Sequence, residues 1–209
     1  MLFLAALVGM AEPSLSMDAP PVNRDEVPAV PYKAPPVPTG ARKLPSIPDV
    51  TVSYYDVVGK NVRELHDWLD KHGPRDPQTH KVLPATSSWS IGSAAKFTKT
   101  GGQCRLTGAA VKFTATAQLP RLVVGQKLLP EVLASWNSYV AALEDRQAAQ
   151  LAFVHDRVGE VQSAIMHSSC TGWQKAASAA IDRLGQEQSN AFQADPKTLP
   201  KLLEPQKGN

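Results

Sequence analysis

The chain has 209 residues, 43% of them hydrophobic and 20% charged. That length and apolar fraction build one domain with a real core, which excludes a collagen-like or wholly disordered chain. A formal net charge of +3 and a pI near 8.9 are too small to indicate a nucleic-acid partner, which needs a basic stripe interleaved with aromatic platforms. The 18 prolines are unevenly placed, half of them lying between Pro20 and Pro48.

Leu2 to Ala11 is an uninterrupted run of apolar and small residues, about half the length that spans a bilayer. It reads as a secretory h-region, with Gly9-Met10-Ala11 as a cleavage signal, although no positive n-region precedes Leu2. A frayed apolar N-terminus of a cytosolic protein is the plainer alternative. No cysteine follows the run to carry a lipid, so no stable membrane anchor is expected. Export, to a periplasm or to the medium, is the expectation. Residues 1–18 are assigned to this signal-like segment. Residues 19–49 are rich in Pro, Val and Ala and read as an extended polyproline-II linker, since proline neither donates to a sheet nor sits inside a helix.

The globular part is placed at 50–199, with 200–209 as a tail. Val50 to Val58 is β-branched and aromatic and ends at Gly59, which predicts a strand and a turn. Asn61 to Lys71 puts Val62, Leu65, Trp68 and Leu69 on one helical face, stopped by Gly73-Pro74. After a loop with Pro77 and Pro84, Thr86 to Ile91 reads as a second strand. Val111 to Ala117 alternates apolar and polar residues, a half-buried strand that Leu119-Pro120 should end. From Pro130 to His167 the period becomes helical, through Leu133, Trp136, Val140, Leu143, Leu151, Val154, Val158, Val161 and Ile165. Such a helix would be about 55 Å long. A last helix is expected from Cys170 to about Gln188. The fold class is α+β: a small antiparallel sheet packed by a long amphipathic helix and one or two further helices.

Cys104 and Cys170 are the only cysteines, and in an exported protein a lone pair most simply forms one disulfide. Two buried free thiols are the alternative. A two-cysteine metal site would need ligands that the neighbouring residues do not offer.

Several phrases resemble a bacterial family described as predicted secreted Zn-dependent proteases, domain of unknown function family 922. They are Tyr54-Tyr55-Asp56-Val57-Val58-Gly59, Glu64-Leu65, Gly73-Pro74, Thr86 with Trp89, Cys104, Leu119-Pro120, Trp136 with Tyr139 and Leu143, and Cys170. Their order covers about Val50 to Thr198. The resemblance implies H-E-x-x-H on the long helix, separated by two residues from the leucine matching Leu143. Histidines at i and i+4 on one helix face share a Zn²⁺ there, and the Glu polarises its water. This chain instead has Arg146-Gln147-Ala148-Ala149-Gln150. Arginine cannot lose its proton to coordinate a metal, glutamine is no base, and Gln150 is a poor zinc ligand. A later family histidine corresponds to Pro200.

No catalytic residue, metal ligand or cofactor is therefore expected, zinc belonging to relatives with the motif intact. Gln147 lies in register with Leu143 and Leu151, and either faces the old cleft or is a satisfied core glutamine. Arg146, Gln147 and Gln150, with Trp89, are the candidate lining of a remodelled pocket, against the plainer reading of a solvated helix face. The function expected is a non-catalytic binding or structural module whose partner is an unidentified peptide or protein. The alternative is a metal-dependent peptidase with displaced ligands among His72, His80, His155 and nearby carboxylates.

Overall fold

The computed structural model describes residues 30–31, 43–76 and 80–192. The signal-like segment, most of the proline-rich segment and the tail lie outside the described residues, as do residues 77–79. In chain order the elements are β1 (Val30–Pro31), β2 (Val50–Val57), α1 (Val62–His72), β3 (Thr86–Thr100), β4 (Gln103–Leu122), β5 (Lys127–Leu128), α2 (Pro130–His155), α3 (Val158–Met166) and α4 (Trp173–Ala191). A single 3-10 turn, Leu44–Ser46, precedes β2.

Alternation builds the sheet. In β4, Phe113, Ala115, Ala117 and Leu119 are buried while Lys112, Thr114 and Thr116 are exposed. In β3, Trp89 and Ile91 point the same way and Ser88 and Ser90 the other. The two strands form an antiparallel hairpin joined at Gly101 and Gly102. Both glycines have positive φ (59° and 79°), the backbone that a tight hairpin turn requires and that residues with a Cβ adopt at a cost. Each strand is longer than the patterning alone indicated: β3 continues past Ile91 to Thr100. β4 likewise continues through Pro120 to Leu122. Beyond Gln118, β4 has β2 alone as its partner, the edge situation in which a strand tolerates proline.

The α+β class holds, with one correction inside the sheet. Strand order is β2-β4-β3, and β2 runs parallel to β4, from Val50 beside Ala115 to Val57 beside Leu122. An all-antiparallel sheet does not form because α1 and β3 intervene, returning the chain so that β4 points along β2. A separate short pair joins β1 to β5.

Asn61 caps α1, its side chain accepting a hydrogen bond from the Glu64 backbone N–H. The long helix expected from Pro130 to His167 is divided. At Asp156 and Arg157 the backbone tightens, the Arg157 N–H bonding three residues back to Val154, and α3 restarts at Val158. The Arg157 side chain bonds Glu160 and forms an ion pair with Glu187 of α4, which fixes the bend against its neighbour.

The main core joins β2, β4, α1 and α2 and includes Val57, Leu65, Leu122, Trp136 and Leu151, all essentially inaccessible. A second cluster packs Val161 and Ile165 of α3 on Ala177, Ala180 and Leu184 of α4, against Ile91, Ala95, Ala109 and Val111 of the hairpin. Leu44 and Ile47, in the last residues of the segment read as linker, are buried in the main core. Cys104 and Cys170 are joined by a disulfide, which ties the start of β4 to the turn before α4. The thiol alternative is thereby set aside.

Candidate functional site

The middle of α2 is where the sequence departs from the zinc-binding pattern. Residues four apart share a helix face, so Leu143, Gln147 and Leu151 form one stripe. The sheet side takes that stripe: Leu143 is 2% exposed, Gln147 6%, and Leu151 fully buried. Ala148, beside it, is buried too. Gln147 is thus part of a filled interface, and its Oε1 is buried without a hydrogen-bond partner among the described residues.

Arg146 and Gln150 lie on the flank facing α4. The Arg146 guanidinium donates to the backbone oxygen of Phe192, the residue that caps the C-terminus of α4 (3.2 Å). A cation suits that position, where helix carbonyls are left without partners. The backbone oxygen of Gln150 accepts from Gln188 Nε2 at 2.8 Å. The Oε1 of the same Gln188 accepts from Trp89 Nε1 at 2.9 Å. Gln188 therefore bridges Trp89 on β3 to the last residue of the degenerate motif on α2. Phe192 also packs edge-on against Phe153, with ring centroids 5.8 Å apart.

Of the four candidate lining residues, the fold brings Trp89 and Gln150 together through Gln188. It points Arg146 to the end of α4 and sends Gln147 into the core. Gln188 was not singled out in the sequence, where one glutamine among several in a helix carries no signal. Lys43 was missed as well: it is 8% exposed and its Nζ donates to Asp145 Oδ1 at 3.0 Å, one residue before Arg146.

One turn and more upstream on α2 is an aromatic group. Trp136 and Tyr139 have centroids 6.2 Å apart, and Tyr55 stacks on Trp68 at 6.0 Å. The Tyr55 hydroxyl donates to the Pro84 carbonyl at 2.7 Å. Burial first, then the neighbouring Tyr139, pushes the Tyr55 phenol above the ordinary tyrosine range. Tyr139 is pushed up by burial and then by Asp70. Both are held as neutral phenols.

The histidines are dispersed. His66 pairs with Asp70 at 3.1 Å, and His72 packs on the Trp68 ring. His80 sits in a turn with φ 57°. His155 faces Asp156 and the edge of Phe113, and His167 bonds the Ser163 carbonyl at the end of α3. Among the described residues no three His, Cys, Asp or Glu side chains come together as a metal-holding group. The displaced-ligand reading, built on His72, His80 and His155, is given no such group by the described fold.

An open cavity of about 400 Å³ lies on the sheet, lined by Asp49, Val50, Thr51, Ser88, Trp89, Ser90, Thr114, Ala115 and Thr116. Of the candidate residues it includes only Trp89. Comparison with protein families gives a match, over residues 52–197, to the family described as "Bacterial protein of unknown function (DUF922)". The chain belongs to the DUF922 family. The match spans β2 to just beyond α4, so this family is defined on the sheet and the helices described above. Neither the curated proteins nor the solved structures give a match. No helix among the described residues is long and apolar enough to cross a membrane.

Proposed function

We propose that this DUF922 protein is an exported, non-catalytic relative of a zinc metallopeptidase that acts as a binding or structural module. The observation that carries the reading is Gln147. It stands where the resemblance places the catalytic Glu, yet it is 6% exposed between Leu143 and Leu151. Its neighbours Arg146 and Gln150 are engaged by the end of α4. A permanently protonated guanidinium and two carboxamides offer neither a proton acceptor nor a thiolate or imidazole for zinc. The disulfide is compatible with an oxidising compartment outside the cytoplasm.

The test is metal analysis of the purified full chain after dialysis against zinc, with peptide cleavage assayed with and without chelator. The expected outcome is less than stoichiometric zinc and no chelator-sensitive cleavage. One zinc per chain together with cleavage that the chelator abolishes would overturn the proposal.

A further inference from the structure

The β3–β4 hairpin gives one face to the helices and leaves the other, among the described residues, to solvent. From Thr86 to Pro120 it carries Lys96, Lys99, Arg105 and Lys112 and no carboxylate. The whole chain is +3, so this stretch is at +4 and everything else together is at −1; Arg121, the fifth cation of the hairpin, is paired with Asp56 of β2. None of the four cations forms an ion pair with a described residue, whereas Lys43, Arg121, Arg157 and Arg183 all do. A charge excess this localised gives the hairpin a field of its own, which the net charge of the chain does not express.

Register places three of the four in a row. Ser88 pairs with Thr116 and Ser90 with Thr114, their hydroxyls 2.9 and 2.8 Å apart. Next on the same face come Lys112, opposite Gly92, and Lys96, opposite Gly108. Opposite a glycine a lysine stem can lie flat, and a Cβ built on Gly108 would meet the Lys96 Cβ and Cδ at 3.8 and 3.9 Å. Beyond the irregularity at Lys96–Phe97, Arg105 pairs with Thr98 and returns to this face. Lys99 pairs with Cys104, whose disulfide runs to the helix side. From Thr116 to Arg105 the row is roughly 35 Å long.

The cavity closes one end of this row. Its lining includes the hydroxyl residues Thr51, Ser88, Ser90, Thr114 and Thr116, together with Asp49. Hydroxyls donate and accept, and a carboxylate only accepts, so this end suits a neutral, hydroxyl-rich group. The carboxylate of Asp49 disfavours an anion there, while Lys112, Lys96 and Arg105 favour anions further along. A ligand satisfying both ends is a polymer whose units carry many hydroxyls and one anionic group each. Nucleic acid is matched less well, because Trp89, Ile91 and Phe113 are turned to the opposite face and Phe97, 49% exposed beside Lys96, is a single ring where base stacking along a strand uses several.

We propose that the solvent face of the β3–β4 hairpin binds an acidic polysaccharide, with one sugar unit in the Asp49–Ser90–Thr114 cavity and its carboxylates on Lys112, Lys96 and Arg105. The site is independent of α2 and of any metal. Titration of the full chain with polygalacturonate at low salt tests it, alongside neutral dextran, a single-stranded oligonucleotide and phosphatidylglycerol vesicles. Saturable binding to polygalacturonate is expected, at least about tenfold tighter than to dextran. K96A/K112A should weaken it about tenfold, and T114V about threefold. K175A, on exposed α4 surface, should leave binding unchanged, and all variants should melt with the parent. The proposal is overturned by absence of polygalacturonate binding, by equal binding of dextran, by tighter binding of oligonucleotide or vesicles, or by K96A/K112A having no more effect than K175A.

Discussion

At Gln147 a carboxamide occupies a place in the core where a hydrocarbon side chain of similar size would fit. Its Oε1 has lost water without gaining a partner among the described residues. A buried carbonyl left in that state costs on the order of 1–3 kcal/mol. Gln147→Leu should therefore raise stability by about 1 kcal/mol, or a few degrees in Tm. Gln147→Glu, the change toward the metal-binding pattern, should lower Tm at pH 7 because it buries a carboxylate, and lower it less at pH 4, where the new group is protonated. Thermal melts at the two pH values decide both. Part of this was legible in the sequence: the register of Gln147 with Leu143 and Leu151 placed it on the apolar stripe. Whether that stripe met a cleft or a sheet was not legible. The answer depends on Ala115, Ala117 and Leu119 arriving from another strand, and on Gln188 arriving from 38 residues away.

Among the elements, the hairpin and α4 are held by a covalent link as well as by packing. Cys104 and Cys170 are 66 residues apart. Closing a loop of that length removes about 4 kcal/mol of unfolded-chain entropy in the usual model. Reduction, or the C104S/C170S variant, should lower Tm by roughly 10 °C, seen as a shift between melts with and without dithiothreitol. The bend between α2 and α3 makes a smaller, pH-dependent contribution. A hydrogen bond from Arg157 holds the Glu160 carboxyl below its ordinary range. Its contribution is therefore present above the unfolded carboxylate value, about 4.3, and lost as the pH falls through the lower folded value. Glu160→Gln should flatten the fall of Tm with pH in that acidic window and leave it unchanged in shape near neutrality. The periodicity gave the helical residues correctly but not the bend, because Val158, Val161 and Ile165 continue the three- and four-residue steps across it. The sequence carries no proline at Asp156–Arg157 to announce a break.

For the molecule as a whole, local signals located the helices and a part of each strand of the hairpin, and the pairing of the strands had to come from the structure. β-branched composition marks Val50–Val57 as a strand without saying which strand it joins or in which direction. The cation row on the hairpin was likewise invisible in a net charge of +3, which averages a basic surface with a slightly acidic remainder.

The parallel partnership of β2 with β4 has a consequence for how the chain assembles. β3 and β4 are joined by a two-glycine turn and can pair as soon as both exist, whereas β2 must wait for a partner some 65 residues downstream. Ordering β2 is therefore predicted to come after the hairpin, and until it does the backbone of β4 from Ala115 to Leu122 is an open edge. A chain beginning at Lys60 should retain the hairpin and α2 to α4 but associate through that edge. Light scattering and size-exclusion elution should show aggregates for the shortened chain and none for the full one.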